Sequence, residues 1–153
     1  MDYYVREADV NDLGQILSIY QDAGINTLGS LTLSEAQVAY KKMKSYPSYS
    51  VYVAESNGHI CGTFALLVMD NLANGGTPSG IVEDVAVARA FQGKGIGKAM
   101  MQFAINECTR QGCYKMMLSS NEKRTGSHKF YESLGFSRHG FSFRVELMEK
   151  DAQ

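Results

Sequence analysis

Hydrophobic residues in the first part of the chain recur at two spacings, one typical of helices and one of strands. After a short β-prone run over residues 3–7, apolar residues return every three or four positions over residues 13–20, behind Asp9, which can act as an N-cap. A second helical pattern begins at Thr32, and Glu35 three residues later has the spacing of a capping box. The pattern therefore predicts two helices after one short strand.

The middle of the chain alternates between apolar and polar residues. Residues 49–55 and 59–69 are predicted to form a hairpin, because residues 56–58 (Ser-Asn-Gly) have the composition of a tight turn. Residues 70–80 are polar and rich in glycine, so we predict a loop there. Residues 81–87 return to a strand pattern, with two acidic residues at its centre.

The last third of the chain has strand–helix–strand character. A helix is predicted from Ile96 to about Gln111, a strand over residues 114–120, a short helix over 127–134 and a final strand over 141–148. Together these elements predict an α+β fold around a mixed, partly antiparallel sheet. At 153 residues we expect one domain spanning 1–153.

Composition restricts the class of protein. Hydrophobic residues make up 44% and charged residues 20%, which favours a packed globular protein. No apolar run is long enough for a membrane span, and the first residues lack the features of a signal peptide, so we expect no membrane association and a cytoplasmic location. Three cysteines without CxxC spacing, and three scattered histidines, predict reduced thiols and no metal site.

Charge is distributed unevenly between the two halves of the chain. Residues 1–87 carry four basic and ten acidic side chains, a net charge of −6, whereas residues 88–153 carry a net charge of +5. The basic half suits an anionic ligand and the acidic half suits an amine, although a chance division of surface charge explains the same numbers. The balance is not basic enough to predict a nucleic-acid partner.

A glycine-rich turn lies between the acidic strand and the helix that follows it. Such a turn leaves backbone N–H groups pointing outward at a helix N-terminus, which suits an anion such as pyrophosphate. A tight connection without a ligand is the alternative reading. The segment has neither the P-loop nor the dinucleotide-binding pattern. Its residues are Gln92, Gly93, Lys94, Gly95, Ile96, Gly97 and Lys98.

Three segments together resemble the GCN5-related N-acetyltransferase (GNAT) family, whose members transfer an acetyl group from acetyl-CoA to an amine. Gln92, Gly95 and Gly97 match the family signature Q/R-x-x-G-x-G/A, residues 83–87 resemble the strand before it, and residues 130–136 resemble the family's FYE-x-LGF segment. The segments follow the family order, and the resemblance covers essentially the whole chain. It implies a mostly antiparallel central sheet flanked by helices.

The resemblance also implies roles for matching residues. Backbone groups of Val85 and Val87 would pair with the pantetheine arm of acetyl-CoA, and the N–H of Val85 would face the thioester oxygen. Tyr131 matches the tyrosine that protonates the departing thiolate; simple packing of a helix is the alternative. The cofactor-binding set would comprise Val85, Val87, Gln92, Gly93, Lys94, Gly95, Ile96, Gly97, Lys98, Asn121 and Ser127.

The reaction also needs a group that accepts a proton from the amine, because an ammonium has no lone pair. Glu83 and Asp84 are the candidate bases, and a water relay is a further alternative. On a regular strand they point to opposite faces, so only one would face the substrate unless a bulge rotates them. Pairing of either carboxylate with a neighbouring cation explains its presence as well as a catalytic role does. Of the two residues, we favour Glu83 as the base.

Two groups within the family resemble the chain in different segments. Residues 83–85 and 112–115 resemble glucosamine 6-phosphate acetyltransferases, and residues 119–124 resemble aminoalkylphosphonate acetyltransferases, although Ser127 replaces an asparagine of the aminosugar enzymes. We therefore predict acetyl transfer to a primary amine of a small molecule by direct attack in a ternary complex. A peptide acetyltransferase and a non-catalytic acetyl-CoA sensor are alternatives, and a homodimer is an arrangement that the resemblance allows.

Overall fold

Capping residues set the start of one 3-10 turn and of one helix in the first part of the chain. The structure is a computed structural model that describes residues 2–148. Strand β1 covers Tyr4–Glu7, helix α1 covers Leu13–Asp22 after a 3-10 turn, and helix α2 covers Leu33–Lys44. Asp9 and Asp12 form one capping box, and Thr32 and Glu35 form another, with the Thr32 N–H donating to Glu35 Oε2 at 2.8 Å. The predicted capping boundary of α2 is confirmed.

The remaining elements follow the predicted order up to the last strand. Strand β2 covers Tyr49–Ser56, β3 covers His59–Met69, β4 covers Ser79–Val87, helix α3 covers Ile96–Arg110, strand β5 covers Lys115–Leu118 and helix α4 covers Thr125–Ser133. The five strands form one sheet in the order β1-β2-β3-β4-β5. All neighbouring strands are antiparallel except the parallel pair β4 and β5, so the predicted α+β class with a mixed, mostly antiparallel sheet is confirmed.

Helices α1 and α2 cover one face of the sheet. Their buried residues join strand residues of that face in one hydrophobic cluster, which contains Leu13, Ile16, Ile19, Ala36, Val51, Val53, Ala65 and Ala86. Helix α3 contacts β3 and β4. Gly62 and Gly80 allow this close approach, because an added Cβ would lie 2.9 Å from Met100 Sδ at Gly62 and 2.4 Å from Cys108 Sγ at Gly80.

The chain forms two compact units, the first ending at Leu118 and the second beginning at Ser119. The first contains the whole sheet with α1, α2 and α3, and the second contains α4. The expectation of one domain over residues 1–153 stays a prediction. Between residues 2 and 148, every helix falls short of the length and apolar character that a bilayer crossing requires.

The predicted final strand over residues 141–148 is wrong. These residues have no strand conformation and do not join the sheet. Their alternating apolar side chains are exposed, as Phe141 (91%), Phe143 (92%) and Leu147 (88%) show. Alternation identifies a segment that could form a two-sided strand, but a strand also requires a neighbour for its backbone hydrogen bonds, and sequence spacing does not supply one.

Candidate active site

A bulge at the centre of β4 brings the two predicted bases to the surface. Thr63 of β3 lies opposite Ala86 and Ala65 lies opposite Glu83, so β4 has one residue more than β3 between these pairs. Asp84, within the extra stretch, adopts a left-handed backbone with φ of 53°. The bulge interrupts the alternation of the strand, and the side chains of Glu83 and Asp84 are both exposed. The bulge that the sequence left open is therefore present, and the role of either carboxylate as a base stays a prediction.

The two carboxylates hold their protons more tightly than free carboxylates do. Partial burial, followed by the negative charge of Asp84, raises the pKa of Glu83, and partial burial raises the pKa of Asp84. The charges of these carboxylates also act on two tyrosines. Burial and then the charge of Asp84 raise the pKa of Tyr20, and burial and then both carboxylates raise the pKa of Tyr49. Raised proton affinity suits carboxylates that must accept a proton from an amine.

The edge of β4 that faces β5 is paired only along its first half. Residues Ser79–Val82 pair with Lys115–Leu118, and the pairing stops there. From Glu83 onward, the described residues place no strand on this side of β4. The strand therefore offers free backbone groups, next to the two carboxylates, to an extended ligand that can complete the sheet.

The free backbone groups can be identified from the pairing on the other side of β4. The N–H of Ala88 donates to the carbonyl of Cys61 at 2.8 Å, which makes this a hydrogen-bonded pair. Because bonded and non-bonded pairs alternate in an antiparallel ladder, Val87 directs its backbone groups away from β3. Gln92 Nε2 donates to the Val87 carbonyl at 3.2 Å, so the side chain of Gln92 ties the glycine turn to the strand, and the cofactor-binding role of Gln92 stays a prediction.

The glycine-rich turn has the conformation that the sequence predicted. Gly93 and Gly95 have φ of 72° and 84°, a left-handed conformation that side chains disfavour. Gly95 is the N-cap of α3, and the first helical hydrogen bond runs from the Ala99 N–H to the Gly95 carbonyl at 3.1 Å. Within residues 2–148, the backbone N–H groups of residues 93–98 have no hydrogen-bond acceptor. Their donors remain available to an anion.

Side chains around the turn add positive charge and one hydroxyl. Lys94 places its Nζ 5.3 Å from the ring centre of Phe91, Lys98 is exposed, and Ile96 is buried beneath the turn. The hydroxyl of Tyr3 lies 3.3 Å from the position that a Cβ at Gly95 would occupy. Nothing in the spacing of residues indicates that Tyr3, the residue before β1, reaches this turn.

Tyr131 lies on α4 in the second unit. Its half-buried ring contacts Phe130 and Phe136, with ring centres 5.1 and 5.7 Å apart. Burial raises the pKa of Tyr131, and the charge of Arg124 opposes that effect. The phenol therefore keeps its proton at neutral pH, as a proton donor requires.

The other two predicted residues of the second unit organise its first turn. Asn121 Oδ1 accepts the N–H of Lys123 at 2.9 Å, and the Asn121 carbonyl accepts the N–H of Arg124 at 2.9 Å. The same carbonyl lies 2.9 Å from His128 Nε2. Ser127 is half-buried in the first turn of α4. Both residues are engaged with, or adjacent to, the start of this helix, and their cofactor-binding role stays a prediction.

Thiols and potential metal ligands are two further kinds of reactive side chain in the described residues. The three cysteines are free thiols. Among residues 2–148, no group of three or more His, Cys, Asp or Glu side chains is placed to hold a metal ion.

Comparison with known proteins points to one family. The family model described as the acetyltransferase (GNAT) family matches residues 15–136. A glucosamine 6-phosphate N-acetyltransferase from Trypanosoma brucei brucei is 33% identical over 112 residues, which cover 73% of this chain and 74% of the relative. An L-methionine sulfoximine/L-methionine sulfone acetyltransferase from Salmonella typhimurium is 27% identical over 137 residues, covering 87% of this chain and 79% of the relative.

Solved structures agree with this assignment. A protein from Agrobacterium tumefaciens superposes with a TM-score of 0.88 at 31% identity, over 94% of this chain and 99% of that protein. The similar sequences and the similar fold therefore extend well beyond the glycine-rich turn. The two curated relatives are named for different acceptor amines.

Proposed function

The chain belongs to the GNAT family of acetyltransferases, and we propose that it transfers an acetyl group from acetyl-CoA to a primary amine of a small molecule. The observation that carries this proposal is the half-paired strand β4, whose free edge adjoins both the two carboxylates and the glycine-rich turn. A ligand with an extended amide-containing arm and a pyrophosphate fits these two features together. Acetyl-CoA has both parts.

The turn would hold the pyrophosphate. Free N–H groups over residues 93–98 and the positive end of α3 favour negative charge, and Lys94 and Lys98 add two cations. Val87 presents outward-facing backbone groups that would pair with the pantetheine arm, and the family resemblance assigns the same role to Val85. Asn121 and Ser127 are assigned to the cofactor by the family resemblance alone.

Side chains of this protein would accept one proton and donate another during the reaction. Glu83 or Asp84, directly or through water, would accept a proton from the amine, whose nitrogen then attacks the thioester carbon in a ternary complex. As the new C–N bond forms, the C–S bond breaks. The N–H of Val85 would stabilise negative charge on the carbonyl oxygen, which can contribute ~10²–10³ in rate. Tyr131 would give its proton to the departing thiolate.

The amine substrate is proposed as a chemical class. Relatives named for glucosamine 6-phosphate and for methionine sulfoximine share a small, polar amine, and the acidic bulge of β4 suits such a group. We further propose a cytoplasmic location, which suits the free thiols, and a homodimer, which the exposed apolar residues of segment 141–148 favour.

The decisive experiment has a binding arm and a turnover arm. Acetyl-CoA at ~100 times its dissociation constant should stabilise the protein by about 2.7 kcal/mol in a thermal-shift assay. CoA release should then be measured with glucosamine 6-phosphate, 2-aminoethylphosphonate, methionine sulfone, spermidine and a peptide with a free N-terminus. Turnover confined to the peptide would contradict the small-molecule assignment, and binding without any turnover would favour a sensor.

A matched pair of variants tests the assigned anion site. Gly93 and Gly58 both have positive φ (72° and 76°), and no atom lies within 4 Å of an added Cβ at either position. Gly93→Ala and Gly58→Ala should therefore lose similar stability, about 1 kcal/mol or more, because alanine disfavours this conformation. Only Gly93→Ala should weaken acetyl-CoA binding. Equal acetyl-CoA affinity in the two variants would remove the turn from the binding site.

A further inference from the structure

Tyr3 reaches the glycine-rich turn from the opposite side of the sheet. Helix α3 contacts β1 as well as β3 and β4, although β1 is the last strand on the side away from β5. Gly62 of β3 faces α3, because an added Cβ there would meet Met100. Val5 lies on the same face as Gly62, since both are joined through Ala54 in one row of opposite residues. Tyr3, two residues before Val5, therefore points toward α3 as well.

The backbone on both sides of Tyr3 is held in place. The Asp2 carbonyl accepts a hydrogen bond from Ser56 Oγ at 2.7 Å, and Tyr4 pairs with Glu55 in the sheet. Ser56 is buried, so this contact is shielded from water. The ring of Tyr3 is half-buried and starts from a fixed backbone position. A side chain that is held in advance loses little conformational entropy when it binds a ligand.

The Tyr3 hydroxyl lies beside the free donors of the turn. It is 3.3 Å from the position that a Cβ at Gly95 would occupy, and that position is about 2.5 Å from the Gly95 nitrogen. The hydroxyl oxygen is therefore within about 6 Å of the Gly95 N–H, which has no acceptor within residues 2–148. One phosphate oxygen that accepts two hydrogen bonds of about 2.9 Å joins donors up to about 5.8 Å apart. A single phosphate group can thus contact both donors.

The Tyr3 hydroxyl has no partner in the part of the chain that the structure describes, and it is open to solvent. In that part of the chain, Asn71 Oδ1 is the only buried side-chain oxygen or nitrogen without a hydrogen bond. The Tyr3 hydroxyl also lacks a hydrogen bond and must therefore be accessible. Its proton needs an acceptor, and the neighbouring backbone N–H groups are donors too. An anion with several acceptor oxygens satisfies all of these groups, whereas an ammonium group does not.

We propose that Tyr3 is a cofactor-binding residue, whose hydroxyl donates a hydrogen bond to the pyrophosphate of acetyl-CoA at the glycine-rich turn. The inference rests on the proposed function, since it adds a residue to the acetyl-CoA site. It extends this site from residues 92–98 to the residue before β1. Tyr3 contributes affinity for acetyl-CoA and takes no part in proton transfer to or from the amine.

Tyr3→Phe tests the proposal, because it removes the hydroxyl and keeps the ring. The dissociation constant of acetyl-CoA, measured by isothermal titration calorimetry, should rise about tenfold, as expected when one hydrogen bond to a charged group is lost. 3′-Dephospho-acetyl-CoA keeps the pyrophosphate and should lose the same factor. S-acetylpantetheine lacks the pyrophosphate, so its kcat/KM as acetyl donor, followed by thiol release, should be equal in the variant and the wild type.

Tyr114→Phe is the matched control. Tyr114 precedes β5, which pairs with the first half of β4, whereas the glycine-rich turn follows the end of β4. Its hydroxyl accepts a hydrogen bond from Asn74 Nδ2 at 3.0 Å. This variant also loses one phenolic hydroxyl, but it should keep the wild-type dissociation constant for acetyl-CoA. The Tm of Tyr3→Phe without ligand should equal that of the wild type, because its hydroxyl has no partner to lose.

The outcomes separate this inference from the proposed function. A dissociation constant of acetyl-CoA raised less than about threefold in Tyr3→Phe, or raised equally in Tyr114→Phe, would overturn the role of Tyr3 while the proposed function stands. A loss with acetyl-CoA but not with 3′-dephospho-acetyl-CoA would overturn the assignment to the pyrophosphate. An equal loss with S-acetylpantetheine, or a lower Tm without ligand, would indicate a general change in the protein and would overturn it as well. Failure of the wild type to bind acetyl-CoA would overturn the proposed function, and the role of Tyr3 with it.

Discussion

Gly80→Ala is the substitution whose cost can be worked out most directly from the structure. Gly80 is buried near the start of β4, and an added Cβ would lie 2.4 Å from Cys108 Sγ and 3.4 Å from Met116 Cγ. Unstrained contacts between carbon atoms lie at about 3.5–4.0 Å, and sulfur is larger, so the overlap with Cys108 exceeds roughly 1 Å. The short cysteine side chain cannot yield as a long flexible one would. Either its rotamer or the position of α3 must change.

Overpacking of this kind typically costs about 1–3 kcal/mol. In a domain of this size, that loss corresponds to a Tm lower by roughly 2–12 °C. Gly14→Ala is the matched control, since Gly14 is an exposed residue of α1 and no atom lies within 4 Å of an added Cβ. The control should gain about 1 kcal/mol, because alanine is the better helix former.

Urea unfolding followed by circular dichroism measures both changes. The double variant Gly80→Ala/Cys108→Ala should be more stable than Gly80→Ala alone, because removal of Sγ relieves the overlap. The reasoning would be refuted if Gly80→Ala were as stable as the wild type, or if the double variant were no more stable than the single one. Acetyl-CoA should still stabilise folded Gly80→Ala, since Gly80 lies in the half of β4 that pairs with β5.

Three further substitutions probe the site and its support. Tyr131→Phe should lower turnover by ~10²–10⁴ in a CoA-release assay and leave stability nearly unchanged; normal turnover would make Tyr131 a packing residue. Asp84→Asn should lower turnover. It should also raise Tm at pH 7 but not at pH 4, because the pKa of Asp84 is raised in the folded state, so that ionisation of Asp84 destabilises the wild-type fold as the pH rises. Arg6→Gln should cost about 2–4 kcal/mol in urea unfolding, because Arg6 holds buried Asp12 through bonds of 2.7 and 2.9 Å; a loss below about 1 kcal/mol would contradict this.

Local signals allowed most of the fold to be predicted from the sequence. The capping box at Thr32 and Glu35 placed the start of α2 correctly, and the Ser-Asn-Gly turn placed the start of β3 at His59. In both cases the determining interactions join residues that are close in sequence. Such interactions are encoded by residue type and spacing alone.

Features that depend on distant neighbours were not accessible in the same way. Apolar and polar residues do alternate over residues 141–148, yet the segment forms no strand. A strand needs a second strand to pair with, and the spacing of its own residues does not determine whether one is present. The proximity of the Tyr3 hydroxyl to Gly95 likewise joins residues that are far apart in the chain, which residue spacing does not reveal.

The bulge of β4 explains why the acidic pair was identified while its arrangement was left open. An aspartate in a left-handed conformation carries a conformational cost of ~1–3 kcal/mol, and two neighbouring carboxylates that partial burial keeps from full hydration add an electrostatic cost. A strand that served only to hold the sheet together would be more stable with a regular ladder and neutral side chains. The same bulge holds two exposed carboxylates and lies where the pairing of β4 with β5 has stopped. Catalysis of amine acetylation gives a physical reason for all three features at one position, whereas sheet stability gives a reason for none of them.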